Sequence, residues 1–164
     1  MKIALVHDYL VQDGGAERVL KAFHEIWPEA PIFVLFHKKE SVEGFVAAEI
    51  RQTFMAKFPF ITTRYRWLLP LMPLATESHH LDGFDVVLSS TSAFAKGVIT
   101  SPDTVHISYC HTPTRYLWTD TSSYIQTLKC NIVVKKILPR LIHRLRLWDK
   151  ASAERVDHFI ANSH

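Results

Sequence analysis

The feature that most constrains this chain is a series of short apolar runs, each about the length of one strand and separated by segments of helical period. Residues 2–6, Lys-Ile-Ala-Leu-Val, are the first such run. It reads as a buried parallel strand, because a strand covered on both faces shows no polar alternation. The run breaks at Asp13-Gly14-Gly15, after which Ala16, Val19, Leu20, Phe23, Ile26 and Trp27 recur at helical spacing. Asp13 is the expected N-cap, and Pro28 closes the element. Residues 32–36, Ile-Phe-Val-Leu-Phe, follow as a second buried strand. Strand, helix and strand at this spacing make a βαβ unit, whose crossover is right-handed.

The pattern continues downstream. Residues 50–54, 85–89, 105–109 and 157–161 read as further strands, with a turn at Asp82-Gly83 before the second of these. Residues 65–74 are rich in Trp, Leu and Met, but Pro70 and Pro73 prevent one regular helix there. A long helical region from Ile132 to Arg155 is expected to be interrupted at Pro139. Repeats and low-complexity linkers are absent from the sequence. Strands alternating with helices predict one α/β domain over residues 1–164, Rossmann-like and doubly wound around a mainly parallel sheet.

Composition narrows the class. A chain of 164 residues with 48% apolar and 21% charged residues is long and apolar enough for one sizeable core. Two cysteines argue against a disulfide framework and for a reducing compartment. The opening run is too short, and too soon followed by charge, to be a signal peptide, and no stretch reaches transmembrane length. A cytoplasmic location is therefore expected. The net charge of +3 is too mild to imply a nucleic-acid partner.

In an open α/β sheet, ligands bind beyond the carboxyl ends of the strands, where the strand order switches. Two segments fall at such ends. The first is His7-Asp8-Tyr9 with Asp13-Gly14-Gly15-Ala16-Glu17-Arg18. Glycines entering a helix allow close backbone approach, and the helix start offers free N–H groups, which together suit a phosphate. The same Gly-Gly pair serves equally as a simple turn. It is not the dinucleotide fingerprint, whose three-glycine spacing is missing, and this argues against a nicotinamide-dependent oxidoreductase. The second segment is His111-Thr112-Pro113-Thr114-Arg115-Tyr116-Leu117-Trp118. His111 at a strand end is either a ligand-facing group or a structural one. Cys110 beside it points to the opposite face if the strand continues, which excludes a Cys–His catalytic pair. His79-His80 resembles a metal pair only superficially and is expected in a solvated loop.

At these residues a family resemblance becomes visible. His7-Asp8-Tyr9-Leu10 with Gly14-Gly15-Ala16-Glu17-Arg18-Val19-Leu20 resembles glycosyltransferase family 4, in particular its mannosyltransferase-like branch of surface polysaccharide synthesis. So do the run from Tyr109 to Trp118 and the closing Ala153-Glu154-Arg155-Val156-Asp157 to Ile160-Ala161-Asn162-Ser163. One departure is that Thr119 stands between Trp118 and Asp120, where an Asp directly after the Trp is expected.

The resemblance implies the N-terminal, acceptor-side half of a two-domain GT-B architecture, with the active site in the cleft. The donor-binding C-terminal domain is not matched in this chain, so the fragment alone is expected to be inactive. It further implies a retaining hexosyl or mannosyl transfer from a nucleotide-sugar donor to a glycan or lipid-linked acceptor, with no bound metal or other cofactor. His111 is the implied catalytic residue, contacting the transferred sugar. Gly14 and Gly15, with Asp8 and Arg115, are implied at the donor diphosphate and substrate. Asp8, Glu17 and Arg18 fit equally as supporting or capping residues. A stand-alone, non-catalytic glycan- or lipid-binding module is the alternative.

From Lys135 to Lys150, basic and apolar residues interleave as in helices that lie on anionic membranes. Peripheral contact with the inner face of the membrane is one reading of this stretch. The other is a domain-packing helix whose Lys and Arg form its wet face. The cluster Tyr65-Arg66-Trp67-Leu68-Leu69 reads as core or interdomain surface, or as a second contact for lipid or a partner.

Overall fold

The structure is a computed structural model that describes residues 1–38, 44–45, 47–119, 121 and 132–162, with side chains in the last helix from residue 136 onward. Asp120, Ser163 and the side chain of Lys135, all named above, lie outside the described residues.

Six strands form one all-parallel sheet: β1 Ile3–His7, β2 Ile32–Val34, β3 Ile50–Gln52, β4 Val86–Thr91, β5 Val105–Cys110 and β6 His158–Ala161. Their order is β3-β2-β1-β4-β5-β6, which is the doubly wound Rossmann-like order. The chain therefore reverses its direction of travel between β1 and β4, and the two strands end side by side. His7 pairs with Ser90 and Ser90 with Tyr109, so one row of residues crosses the carboxyl ends of three strands.

Alternation within the buried strands feeds two apolar layers. Leu5, Ile32, Val34 and Leu88 pack toward α1 (Gly15–Ile26), which contributes Leu20 and Phe23. Ala4, Val6, Phe33 and Val87 pack on the other face against Leu81, Ala95 and Val98. A third cluster gathers Leu35 and Phe36 after β2 with α2 (Ile61–Arg64), the 3₁₀ segment Tyr65–Leu71, α3 (Met72–Glu77), α4 (Arg115–Trp118) and α5 (Ile132–Ala153). Pro70 and Pro73 break residues 65–74 as expected, into a 3₁₀ segment and a short helix.

Three expectations are corrected. The long helix is not interrupted: α5 runs 22 residues straight through Pro139. Leu138, Ile142, Leu145, Asp149 and Ser152 are buried at helical spacing along it, and the packing of that stripe outweighs the roughly 3 kcal/mol a helix-interior proline costs. The N-cap of α1 is Gly14, not Asp13. Glu17 reaches back to accept the Gly14 N–H at 2.9 Å, leaving Asp13 to pair with Lys21 at 2.9 Å. Finally, His79 is not solvated. Its ring is half-buried edge-on against Phe33 at 5.5 Å, and burial, then repulsion from His80, hold it at about 4.

Packing is tightest where α5 crosses the turn at Ala95–Gly97. A Cβ built on Gly97 falls 2.3 Å from the Trp148 ring and 3.3 Å from the Ser152 Cβ. Trp148 cannot retreat freely, since its indole N–H is held by Glu77 at 2.8 Å. Gly97→Ala is expected to destabilise the fold by about 3 kcal/mol, the upper range for overpacking, measured by urea unfolding. An unchanged midpoint would show that α5 is free to shift.

His106 supplies a pH-dependent term. It is fully buried in β5, with Nε2 2.9 Å from the Ser89 hydroxyl. Burial outweighs the nearby Asp157 carboxylate and holds its pKa at about 4 rather than 6.5. The folded state keeps this ring neutral, whereas the unfolded chain protonates it below 6.5. Its contribution is thus complete above pH 6.5 and lost as pH falls toward 4, amounting to about 3 kcal/mol. Urea unfolding between pH 7.5 and 4.5 should show this decline, and His106→Gln should flatten it. An equal slope in the variant would contradict the assignment.

Candidate functional site

The site is built at the carboxyl ends of β1, β4 and β5, against the start of α1. Asp8 follows β1 directly, and its carboxylate is 4% exposed. One oxygen accepts the N–H groups of Ser92 and Ala93 at 2.9 and 2.8 Å, the other those of Phe94 and Ala95 at 2.8 and 2.6 Å. Both oxygens are thus committed to the backbone after β4. Asp8 shapes the floor of the site and has no free oxygen turned to a ligand.

Around this floor runs a chain of polar contacts. His7 Nδ1 lies 3.0 Å from the Ser90 carbonyl and 3.2 Å from the Ser90 hydroxyl. A carbonyl can only accept, so Nδ1 carries a hydrogen. His7 Nε2 faces Glu17 Oε1 at 3.8 Å. Burial raises the Glu17 pKa, but His7, the Glu17 amide and the Gly14 amide outweigh it and hold the carboxyl below its ordinary range.

The Ser90 hydroxyl then meets His111 Nε2 at 2.8 Å, while an acceptor, the Ala16 carbonyl, is 3.5 Å away. The hydroxyl donates to Nε2 or accepts from it, as the tautomer of the ring sets. The other ring nitrogen, Nδ1, has no hydrogen-bond partner among the described residues. Burial first, then the neighbouring His7, lower the His111 pKa. At neutral pH His111 thus offers a neutral ring with one unpartnered nitrogen, tilted against Tyr109 at 5.1 Å.

Gly15 opens the same corner. Neither Gly14 nor Gly15 adopts a positive φ, so the backbone does not demand glycine at either position. A Cβ on Gly14 would meet Glu17 Oε2 at 3.0 Å, whereas one on Gly15 meets nothing within 4 Å. The space beside Gly15, at the N-terminus of a 12-residue helix, is open to a ligand.

The other sequence candidates are placed differently. Arg115 is exposed at the first position of α4, and its guanidinium has no partner among the described residues. Cys110 turns toward the Lys96–Asp149 side, away from His111, and burial pushes its thiol up. No group of three or more metal-ligating side chains occurs among the described residues.

Two parts of the site were missed in the sequence. Ser90 links the histidines, and the signal was the polar Ser89-Ser90-Thr91 ending an otherwise apolar strand. The buried Lys96–Asp149 pair, 2.6 Å apart, is the other. Asp149 also accepts the Thr114 hydroxyl at 3.1 Å and the Trp118 indole N–H at 2.8 Å, fastening the segment after His111 to α5. Their separation of 53 residues hid this pair.

Asp8→Ala should destabilise the chain by at least about 3 kcal/mol in the absence of any ligand, because four amides, three of them buried, lose their acceptor. Thermal unfolding of the variant tests this; an unchanged transition would mean that Asp8 serves a ligand and not the fold.

No protein-family model, no curated protein and no solved structure matches this chain.

Proposed function

We propose that the chain is the acceptor-side half of a retaining glycosyltransferase of the GT-B type, acting with a donor-binding domain on a nucleotide sugar. The observation that carries this reading is the pairing of an open helix start at Gly15 with a His111 ring held through Nε2 and unpartnered at Nδ1 among the described residues. Gly15 follows β1 and His111 follows β5, both on the carboxyl side of the sheet beside the switch between β1 and β4. A diphosphate leaving group needs donors fixed before charge develops, and amides at a helix start with a neutral, oriented imidazole supply them.

In this reading the diphosphate faces Gly14 and Gly15, His111 directs Nδ1 at the transferred hexosyl or mannosyl unit, and Arg115 reaches the substrate from the rim. Asp8, Glu17, His7 and Ser90 are positioning residues. They hold the floor and, through Ser90, the His111 ring.

The acceptor is a glycan or a lipid-linked sugar, met on the cytoplasmic side of a membrane. The stretch from Lys136 to Lys150 supports peripheral contact on one face only. Leu138, Ile142 and Leu145 are in the core, while Ile137 and Leu147 are exposed together with Lys136, Arg140, Arg144 and Lys150. No described helix is long and apolar enough to cross a membrane.

Two substitutions test the reading in a polypeptide that includes the donor domain. His111→Ala should lower turnover by about two to three orders of magnitude, the scale of one preorganised donor, with little change in donor affinity. Gly15→Ala should leave thermal stability intact, since its Cβ meets nothing, yet weaken donor use. By calorimetry the present chain alone should bind uridine or guanosine diphosphate sugars more weakly than micromolar. Near wild-type turnover in His111→Ala, or micromolar binding by this chain alone, would refute the division of labour.

A further inference from the structure

Between Glu49 and Glu77 the chain carries Arg51, Lys57, Arg64 and Arg66 and no acidic residue at all. Arg51 is paired with Glu49 at 2.7 Å; the other three have no acidic partner among the described residues. The same stretch exposes large rings. Phe60 is 72% exposed, Trp67 57% and Phe58 38%, around a groove of about 320 Å³ that Ile61, Arg64 and Leu68 help to line.

Phe60 is held in this position against its own preference. It is the one non-glycine residue with positive φ among those described, at 61°. Its carbonyl accepts the N–H groups of Thr63 and Arg64 at 3.1 and 2.9 Å and the Thr63 hydroxyl at 3.1 Å, which fixes the turn. A bulky side chain in the left-handed region carries a conformational cost, and this ring returns little core packing for it. Its one ring contact among the described residues is the Arg64 guanidinium, 5.9 Å above it, an exposed contact worth less than the conformational cost.

We propose that Phe58, Phe60 and Trp67 form a docking surface for an anionic lipid membrane, with Lys57, Arg64 and Arg66 facing its headgroups. Aromatic rings favour the headgroup boundary, where one side is apolar and the other wet, and unpaired cations are drawn to anionic lipid. A second copy of the chain would bring like charges together. The mild net charge of +3 argues against single-stranded nucleic acid.

The surface lies near the candidate site. Its segment leaves the carboxyl end of β3, and Tyr65, between Arg64 and Trp67's neighbour Arg66, packs on Tyr9 with centroids 5.0 Å apart. Tyr9 directly follows Asp8. If the transferase reading holds, docking here brings a lipid-linked acceptor to the rim of the site; docking itself does not depend on transfer.

The test is co-sedimentation of the chain with phosphatidylcholine–phosphatidylglycerol vesicles and with phosphatidylcholine vesicles alone, alongside thermal unfolding of each variant. The wild type should bind the anionic vesicles preferentially. Phe60→Gly and Trp67→Ser should each weaken that binding by about tenfold, the scale of withdrawing one large ring from an apolar phase. Phe60→Gly relieves the left-handed residue, so its melting temperature should stay level or rise while binding falls. Arg64→Glu combined with Arg66→Glu should abolish the preference for anionic lipid. The proposal fails if the wild type binds neither vesicle, or if Phe60→Gly binds as tightly as wild type. It also fails if the patch instead mediates dimerisation in sedimentation velocity or binds an oligonucleotide in preference to vesicles.

Discussion

Everything at the ligand end of this sheet depends on how the Asp8 carboxylate gathers the backbone that follows β4. Four successive amides, from Ser92 to Ala95, point at its two oxygens. Amides at the start of a turn have no partner within it, and three of these four are buried, so an anion from the neighbouring strand replaces the solvent. The contact joins residues more than eighty positions apart across the β1–β4 switch, where a doubly wound sheet opens its crevice. An acceptor with one oxygen could not serve two pairs of donors.

A second anchor holds the other wall. Asp149 on α5 receives Lys96, Thr114 and Trp118, so one buried carboxylate ties together the turn after β4, the segment after His111 and the helix that crosses both. Lys96 Nζ also donates to the Ala93 carbonyl at 2.9 Å, which returns the linkage to the segment bound by Asp8. A buried ion pair is weak evidence for net stability, because desolvation offsets much of its Coulomb attraction. Its effect here is geometric. Breaking either partner would strand a charge, so the arrangement tolerates few alternatives, and His111 is presented from a fixed loop.

Between these anchors, the chain Glu17–His7–Ser90–His111 turns a helix cap into an orientation device. Glu17 closes the start of α1 through the Gly14 amide and faces His7 with its second oxygen. His7 and Ser90 then hold the His111 ring through its Nε2. The cap, the strand end and the half-buried imidazole are therefore one polar unit. The aromatic packing of Tyr9 on Phe36 and Tyr65 joins it to the cationic, acid-free segment on the rim.

The sequence by itself determined the layer architecture. Short apolar runs at residues 2–6, 32–36, 85–89 and 105–109 can be satisfied only by strands buried on both faces, and the helical period between them requires crossovers. It also located His111 and the Gly14–Gly15 turn at strand ends, because position along a βα unit is a local property. Tertiary structure alone decided the rest. Pro139 was read as a break because propensity is local, whereas the stripe from Leu138 to Ser152 is stabilised by partners elsewhere in the chain. Asp8 looked like a ligand-facing acid until four amides from a distant segment filled it, and Ser90 was one more strand residue until His7 and His111 met it from either side. Hydrogen bonds across a sheet leave no periodicity in the sequence. Their partners are chosen by strand order and register, which are fixed only when the sheet is assembled.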